Sequence, residues 1–197
     1  MSLTKVEADG INLADNFAFT GTVSGAGSLV KLLDATISSA VSSYDIDSTH
    51  INSTYDVYHI YANLHPASDG ADLEGRFIVG GSVDSGTNYG YEGGPFDGGG
   101  VFTSDSTSSL RFNRYGVGND TGEGIYLHGQ ILNVNSTVFP ASVFGLVNSH
   151  HTSAVHLFNV FGAGHKASNS TDVVNGLSIF FSSGNIESGN IKLYGQS

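Results

Sequence analysis

The side chains of this chain that could do chemistry are eight histidines and eighteen carboxylates, and their spacing decides what that chemistry could be. His150 and His151 stand together in NSHHTS with His156 five residues further on, and His59 and His65 bracket the segment YANL. Neutral imidazole is a frequent metal ligand, and histidines on the loops of an oligomer could meet on a symmetry axis. The set contains neither an H-x-H pair nor a cysteine, so loop histidines and hydrogen-bonded strand histidines are the better reading, and no metal is assigned. The acids gather on turn-rich stretches: Asp84 with Asn88, Asp97, Asp105, and GNDTGEG with Asp120 and Glu123. Calcium favours such oxygens, but no D-x-D-x-D-G frame is present. A glycosidase would need two acids about 5 to 10 Å apart. Carboxylates on turns are far more often solvated or bonded to their own turn, so no catalytic residue and no cofactor is assigned. GGPFDGGG, residues 93–100, is glycine-dense, but no lysine follows to complete a phosphate loop.

Composition narrows the classes further. Seven lysines and arginines against 18 acids give a formal charge of −11. The cations Lys5, Lys31, Arg76, Arg111, Arg114, Lys166 and Lys192 are scattered, with only Arg111 and Arg114 close together. Such a surface repels a phosphate backbone, so no nucleic-acid partner is expected. Without cysteine, neither a disulfide nor a thiolate metal site can support the fold, which must rest on its core. The start, MSLTKVEADGINLADNF, lacks the apolar stretch of a signal peptide. Gly, Ser, Asn or Asp interrupts every hydrophobic run well short of the ~20 residues that cross a bilayer. The expectation is a chain neither exported by that route nor inserted in a membrane. Four Asn-x-Ser/Thr sequons, at Asn52, Asn119, Asn135 and Asn169, are expected by chance in so Ser/Thr/Asn-rich a chain.

The elements that must position these residues read as short strands. Glycine occurs 27 times against 3 prolines, which fits many tight turns. With 197 residues and 39% hydrophobic content, one sizeable core is expected: a single all-β domain over 28–197, preceded by an arm or lead-in strand over 1–27. Strands are predicted over 17–23, 28–37, 56–64, 73–80, 88–93, 109–115, 124–134, 142–148, 155–162, 176–182 and 190–194. In DVYHIYANL, Tyr58, Ile60, Ala62 and Leu64 form the better core face, with Val57, His59, Tyr61 and Asn63 opposite. In GIYLHGQILNV, Ile125, Leu127 and Ile131 lie out of phase with Tyr126, His128 and Leu132, and Gly129 is placed to mark a bulge that shifts the phase. SLVKLLDATISSAV has apolar spacing near 3.6 but β-branched and Ser-rich positions after it, which leaves helix and strand both open. No repeat of 20 to 50 residues and no heptad pattern is present. At the carboxyl end, SIFF and IKLY flank a Ser/Gly/Asn segment and read as a terminal β-hairpin closing a sheet.

That closing passage, SSGNI followed by a short SG turn and KLYG, resembles the carboxyl-terminal signature of jelly-roll domains in tailed-bacteriophage virion proteins. DVYHIYANLHPASDGADLEGRF is similar to the family's strand, its H/N-P-A-S/T-D turn and its D-L-E-x-R-F strand. GVGNDTGEGIYLHGQI is similar to its GN-x-TGEG strand element, and GINLADNFAFTGTVSGAG to the lead-in before such domains. These pieces touch most of the chain in the family's order. The resemblance implies an antiparallel jelly-roll β-sandwich, a homotrimer, and a non-enzymatic structural protein of the virion bound to other virion proteins. The expected type is a tail-fibre or receptor-binding module. The alternative is a capsid decoration protein docking through residues 1–27, and a further one is a carbohydrate-active tailspike or lectin-like module. No active-site residue is carried over.

Recognition on a rigid β scaffold is carried by loops, and Tyr89, Tyr91, Phe96 and Phe102 form the candidate surface-recognition loop, facing a host surface receptor. The absence of tryptophan weakens a sugar-stacking version of it. The expected core or interface is Tyr58, Ile60, Leu64, Phe77, Phe112, Leu127, Leu177, Ile179, Phe181, Ile191 and Leu193.

Overall fold

Alternating β-branched or aromatic and polar residues commit most of the described residues to strands, and the strands pair into two antiparallel sheets. The computed structural model describes residues 29–95, 100–151, 156–166, 168 and 172–197. The expected arm at 1–27 and the strand at 17–23 lie outside them. In spatial order the larger sheet takes β1 (Leu29–Ile37), β13 (Ile186–Gln196), β3 (Val57–Pro66), β9 (Ile125–Leu132), β10 (Ser142–His150), β11 (His156–His165), β6 (Tyr89–Pro95) and β7 (Phe102–Thr107). The smaller takes β2 (Tyr44–Ile46), β12 (Val174–Phe181), β4 (Leu73–Val79) and β5 (Ser82–Val83), and β8 (Leu110–Arg111) also pairs with β4.

Within the ambiguous segment at 28–41, Leu29–Ile37 is strand. Its helix-like spacing has a simple cause: the β1–β13 register shifts between Lys31 and Leu33, so that the adjacent Leu32 and Leu33 both pack against the core. β3 turns Tyr58, Ile60, Ala62 and Leu64 inward as its alternation requires. β9 corrects one expectation. Gly129 stays in register with Ile60 on one side and Gly145 on the other, and Ile131 is buried in phase with Ile125 and Leu127. The glycine answers close packing instead of a bulge, because a Cβ there would lie 3.3 Å from Ile60 Cγ2 and 3.5 Å from Val143 Cγ2. Every residue expected in the core is buried, none more than 4% exposed.

The terminal hairpin is a second correction. β12 pairs with β2 and β4, whereas β13 pairs with β1 and β3, so the two strands lie in opposite sheets. The chain crosses between layers at Ser182–Asn185, where Gly184 takes φ +69°. Ser188 and Gly189, expected in the turn, lie within β13. Leu177, Ile179 and Phe181 on one strand and Ile186, Ile191 and Leu193 on the other are all buried. A sandwich core needs such residues from both layers.

The strand expected over 109–115 pairs only at Leu110–Arg111. Beyond it Phe112 N donates to Leu73 O at 3.1 Å, and a side chain holds the rest: the buried Asn113 accepts from Leu73 N at 2.7 Å and donates to Tyr115 O at 2.5 Å. Arg111 Nη2 lies 2.7 Å from Asp72 Oδ2. Phe112 nevertheless reaches the core, edge-on to Phe161 at 5.0 Å. β2, β5 and β7 were not foreseen; the first two span 3 and 2 residues, and β7, FTSDST, is too polar to signal a strand. Registers Leu29↔Gln196 and Val57↔Leu132 bring the start of β1, the end of β13 and the β9–β10 connection to one end of the sandwich.

Candidate recognition surface

The opposite end is where the three described motifs of the resemblance meet, although they lie far apart in sequence. Gly70 N donates to Val117 O at 2.9 Å and Val117 N to Ala71 O at 2.7 Å, which ties the 65–72 turn to the segment before β9. Gly116 packs so closely on Gly70 that a Cβ there would collide with the Gly70 backbone. Ala67 N donates to Asn185 O at 2.9 Å, Asn119 Nδ2 to Ala67 O at 3.2 Å, and His65 Nδ1 lies 3.0 Å from Glu187 Oε2. HPASDG, GNDTGEG and SSGNIESG thus form one network of turns. One of its acids caps its own turn: Glu123 Oε2 accepts from Asp120 N at 2.8 Å, and the Asp120 backbone carbonyl accepts from Glu123 N at 2.9 Å.

The four aromatics of the expected recognition loop separate. Tyr89 is fully buried on β6, so it cannot touch a receptor. Its hydroxyl accepts from Phe77 N at 3.0 Å and donates to Asp84 O at 2.8 Å. Tyr91 on β6 and Phe102 on β7 are half-buried and tilted together at 5.9 Å. Phe96 lies outside the described residues. A tyrosine with both hydrogen bonds met internally is stable in a core, and nothing in the local sequence distinguishes it from an exposed one.

Beside this ribbon, Gly90, Glu92, Thr103, Asp105, Gly164 and Lys166 border an open groove of about 620 Å³. Lys166 Nζ donates to Ser106 Oγ at 2.9 Å across it.

Inside the same flank, the buried His165 packs edge-on to Phe77 at 4.9 Å, and its Nε2 lies 3.2 Å from Asp84 Oδ2. Neither ring nitrogen makes an aligned hydrogen bond. Burial pushes the imidazole below its ordinary value, and the nearby Asp84 and Asp172 do not offset it. Burial opposes ionisation of Asp84 too, but hydrogen bonds from Asn88 and Gly86 and the proximity of His165 outweigh it and hold the carboxyl below the usual range. Burial raises the Tyr89 hydroxyl far above its usual value, with Asp84 adding to the effect. Asp84 is therefore a turn-holding acid, the role expected of such carboxylates.

The remaining histidines are dispersed. His59 Nε2 lies 2.7 Å from Gln196 Oε1, and the His151 ring lies 5.8 Å from Tyr115. The β10–β11 register sets His156 opposite His150. Among the described residues no three His, Asp or Glu side chains converge as a metal ion would need. No family model, curated protein or solved structure matches this chain.

Proposed function

We propose that this chain is a non-enzymatic, trimeric structural protein of a tailed-phage virion with a jelly-roll fold, acting as a tail-fibre or receptor-binding module. The convergence of HPASDG, GNDTGEG and SSGNIESG on one end of the sandwich carries the reading. Motifs that match a family by chance have no reason to interlock, whereas markers of a shared fold do. Strand order supports the jelly roll. Within the larger sheet β1-β13-β3-β9 are neighbours, and within the smaller β2-β12-β4-β8. Taken in chain order, these eight strands lie in the larger, smaller, larger, smaller, smaller, larger, smaller and larger sheet, the order of two wound Greek keys, with β6–β7 and β10–β11 added to the larger sheet.

Placement of the ends suits a tip. β1 begins and β13 ends at one end, so that end serves attachment. The motif turns and the ends of β6 and β10 lie at the other, which faces outward to a receptor. Capping of turns by Asp84 and Glu123 supports a role without catalysis. The test is cryo-electron microscopy of the intact particle that carries the chain. Density at the tail periphery is the expected result. Density as spikes on the icosahedral shell would replace the receptor-binding role with decoration, and absence from the particle would overturn the reading.

A further inference from the structure

The outward side of β3, β9, β10 and β11 is unlike the rest of the surface. Positions alternating outward there are Val57, His59, Tyr61 and Asn63; Tyr126, His128, Gln130 and Leu132; Phe144, Leu146 and Asn148; and Phe158, Val160 and Gly162. None is Asp, Glu, Lys or Arg, in a chain of formal charge −11. Tyr126, Phe144, Leu146 and Val160 are 42 to 45% exposed. Register places Leu146 directly between His128 and Val160, so the apolar positions form one contiguous band. With Phe158, they leave roughly 400 Å² of apolar surface in water, taking ~150–250 Å² for a whole aromatic side chain. That is about as large a patch as a monomer carries, and about half of one side of a standard protein interface.

The band is shaped as well as apolar. Phe144, Leu146, Val160 and His128 wall a hollow of about 360 Å³ floored by Gly129 and Gly145. A second, of about 390 Å³, lies between Tyr61, Tyr126 and Tyr194. Charge returns at the borders, with Lys31, Asp34 and Lys192 on the β1–β13 side and Glu92, Asp105 and Lys166 on the β6–β7 side. An uncharged aromatic centre inside a charged rim is the composition of a protein interface.

We infer that this face is the contact between copies of this chain, turned toward a common axis. Charge selects the occupant. A partner recognised by charge would need a charged face to read, whereas two strongly acidic copies can approach only where neither presents a carboxylate. The stoichiometry of three rests on the function proposed above; the face does not.

The test uses the full-length chain. Sedimentation velocity across concentrations is expected to show an oligomer, and Leu146→Glu to weaken its association roughly 100-fold with unchanged circular dichroism, as a lone desolvated charge does. A dimer dissolved by Leu146→Glu supports the face and rejects the trimer. A wild-type monomer, or an oligomer indifferent to Leu146→Glu, overturns the inference while leaving the particle location of the chain untouched. Should Leu146→Glu not fold, Leu146→Cys in this cysteine-free chain gives a second readout. Its alkylation should be slow when concentrated and quicken on dilution, while Val83→Cys on the other sheet reacts alike in both. Protection of Leu146→Cys that ignores dilution means residues 1–28 or another feature of the same chain covers the face, and overturns the inference too.

Discussion

The two sides of β9 and β10 are both apolar, yet they are apolar for different ends. Inward, Ile125, Leu127, Ile131, Val143 and Val147 are at most 1% exposed and close-packed against the opposing sheet. Outward, Tyr126, Phe144 and Leu146 remain more than 40% exposed and, among the described residues, meet no opposing layer. Each buried side chain on the first side contributes about 1.5 to 3 kcal/mol to folding. Those on the second gain little until something covers them. Stability of the subunit therefore belongs to the inner side, and under the contact inferred above association belongs to the outer. Gly129 leaves room for Ile60 and Val143 inside, Gly145 lets the backbone of His128 and Gly129 come close, and both line a hollow outside.

The largest separation between the two sides is expected for Leu127→Ala, which leaves a cavity in the close-packed core and should lower the unfolding free energy by about 2 to 5 kcal/mol in urea denaturation. A loss under about 1 kcal/mol would mean that the inner side is not a packed core. The next effect tests one of the two polar side chains, Asn159 and His165, buried on the inner side of β11. His165 is held below its ordinary value, so below about pH 6.5 the unfolded chain takes up a proton that the folded chain refuses, and stability falls as pH drops. Asp84, held low, adds its own loss only below about pH 4, outside that window. Melting temperatures between pH 7 and 5 should decline for the wild type and decline less for His165→Phe; equal slopes would exonerate the histidine. The smallest effect is expected for Leu146→Ala under conditions that keep the subunit monomeric, within about 0.5 kcal/mol of wild type. A cost as large as that of Leu127→Ala would erase the distinction between the sides.

Much of the inner side was legible in the sequence. Period-two alternation in DVYHIYANL and in GIYLHGQIL names the buried residues of β3 and β9, because a strand has no other way to separate its faces. Legibility failed where two causes leave the same mark. Gly129 is compatible with a bulge and with close packing, and only the cross-strand neighbours Ile60 and Val143 distinguish them. Tyr89 reads like Tyr91 in the sequence, but Phe77 N and Asp84 O satisfy its hydroxyl inside the protein. The acids of GNDTGEG read as capable of chemistry until Glu123 is found capping its own turn.

By itself, the sequence determined that the chain is built largely of strands, which side of β3 and of β9 faces the core, and that neither disulfide nor thiolate metal site supports it. These follow from side-chain size, branching and glycine placement, which act over a few residues. The tertiary structure alone decided which strands are neighbours. SIFF and IKLY look like a hairpin because a short turn segment joins them, yet they lie in opposite layers because closing a core between two sheets buries both of their apolar faces. It also decided that Phe144, Leu146 and Val160, scattered across two strands in sequence, lie side by side on an uncharged surface. Pairing across the sheet is non-local, and no pattern within one strand records the neighbour that pairing will bring.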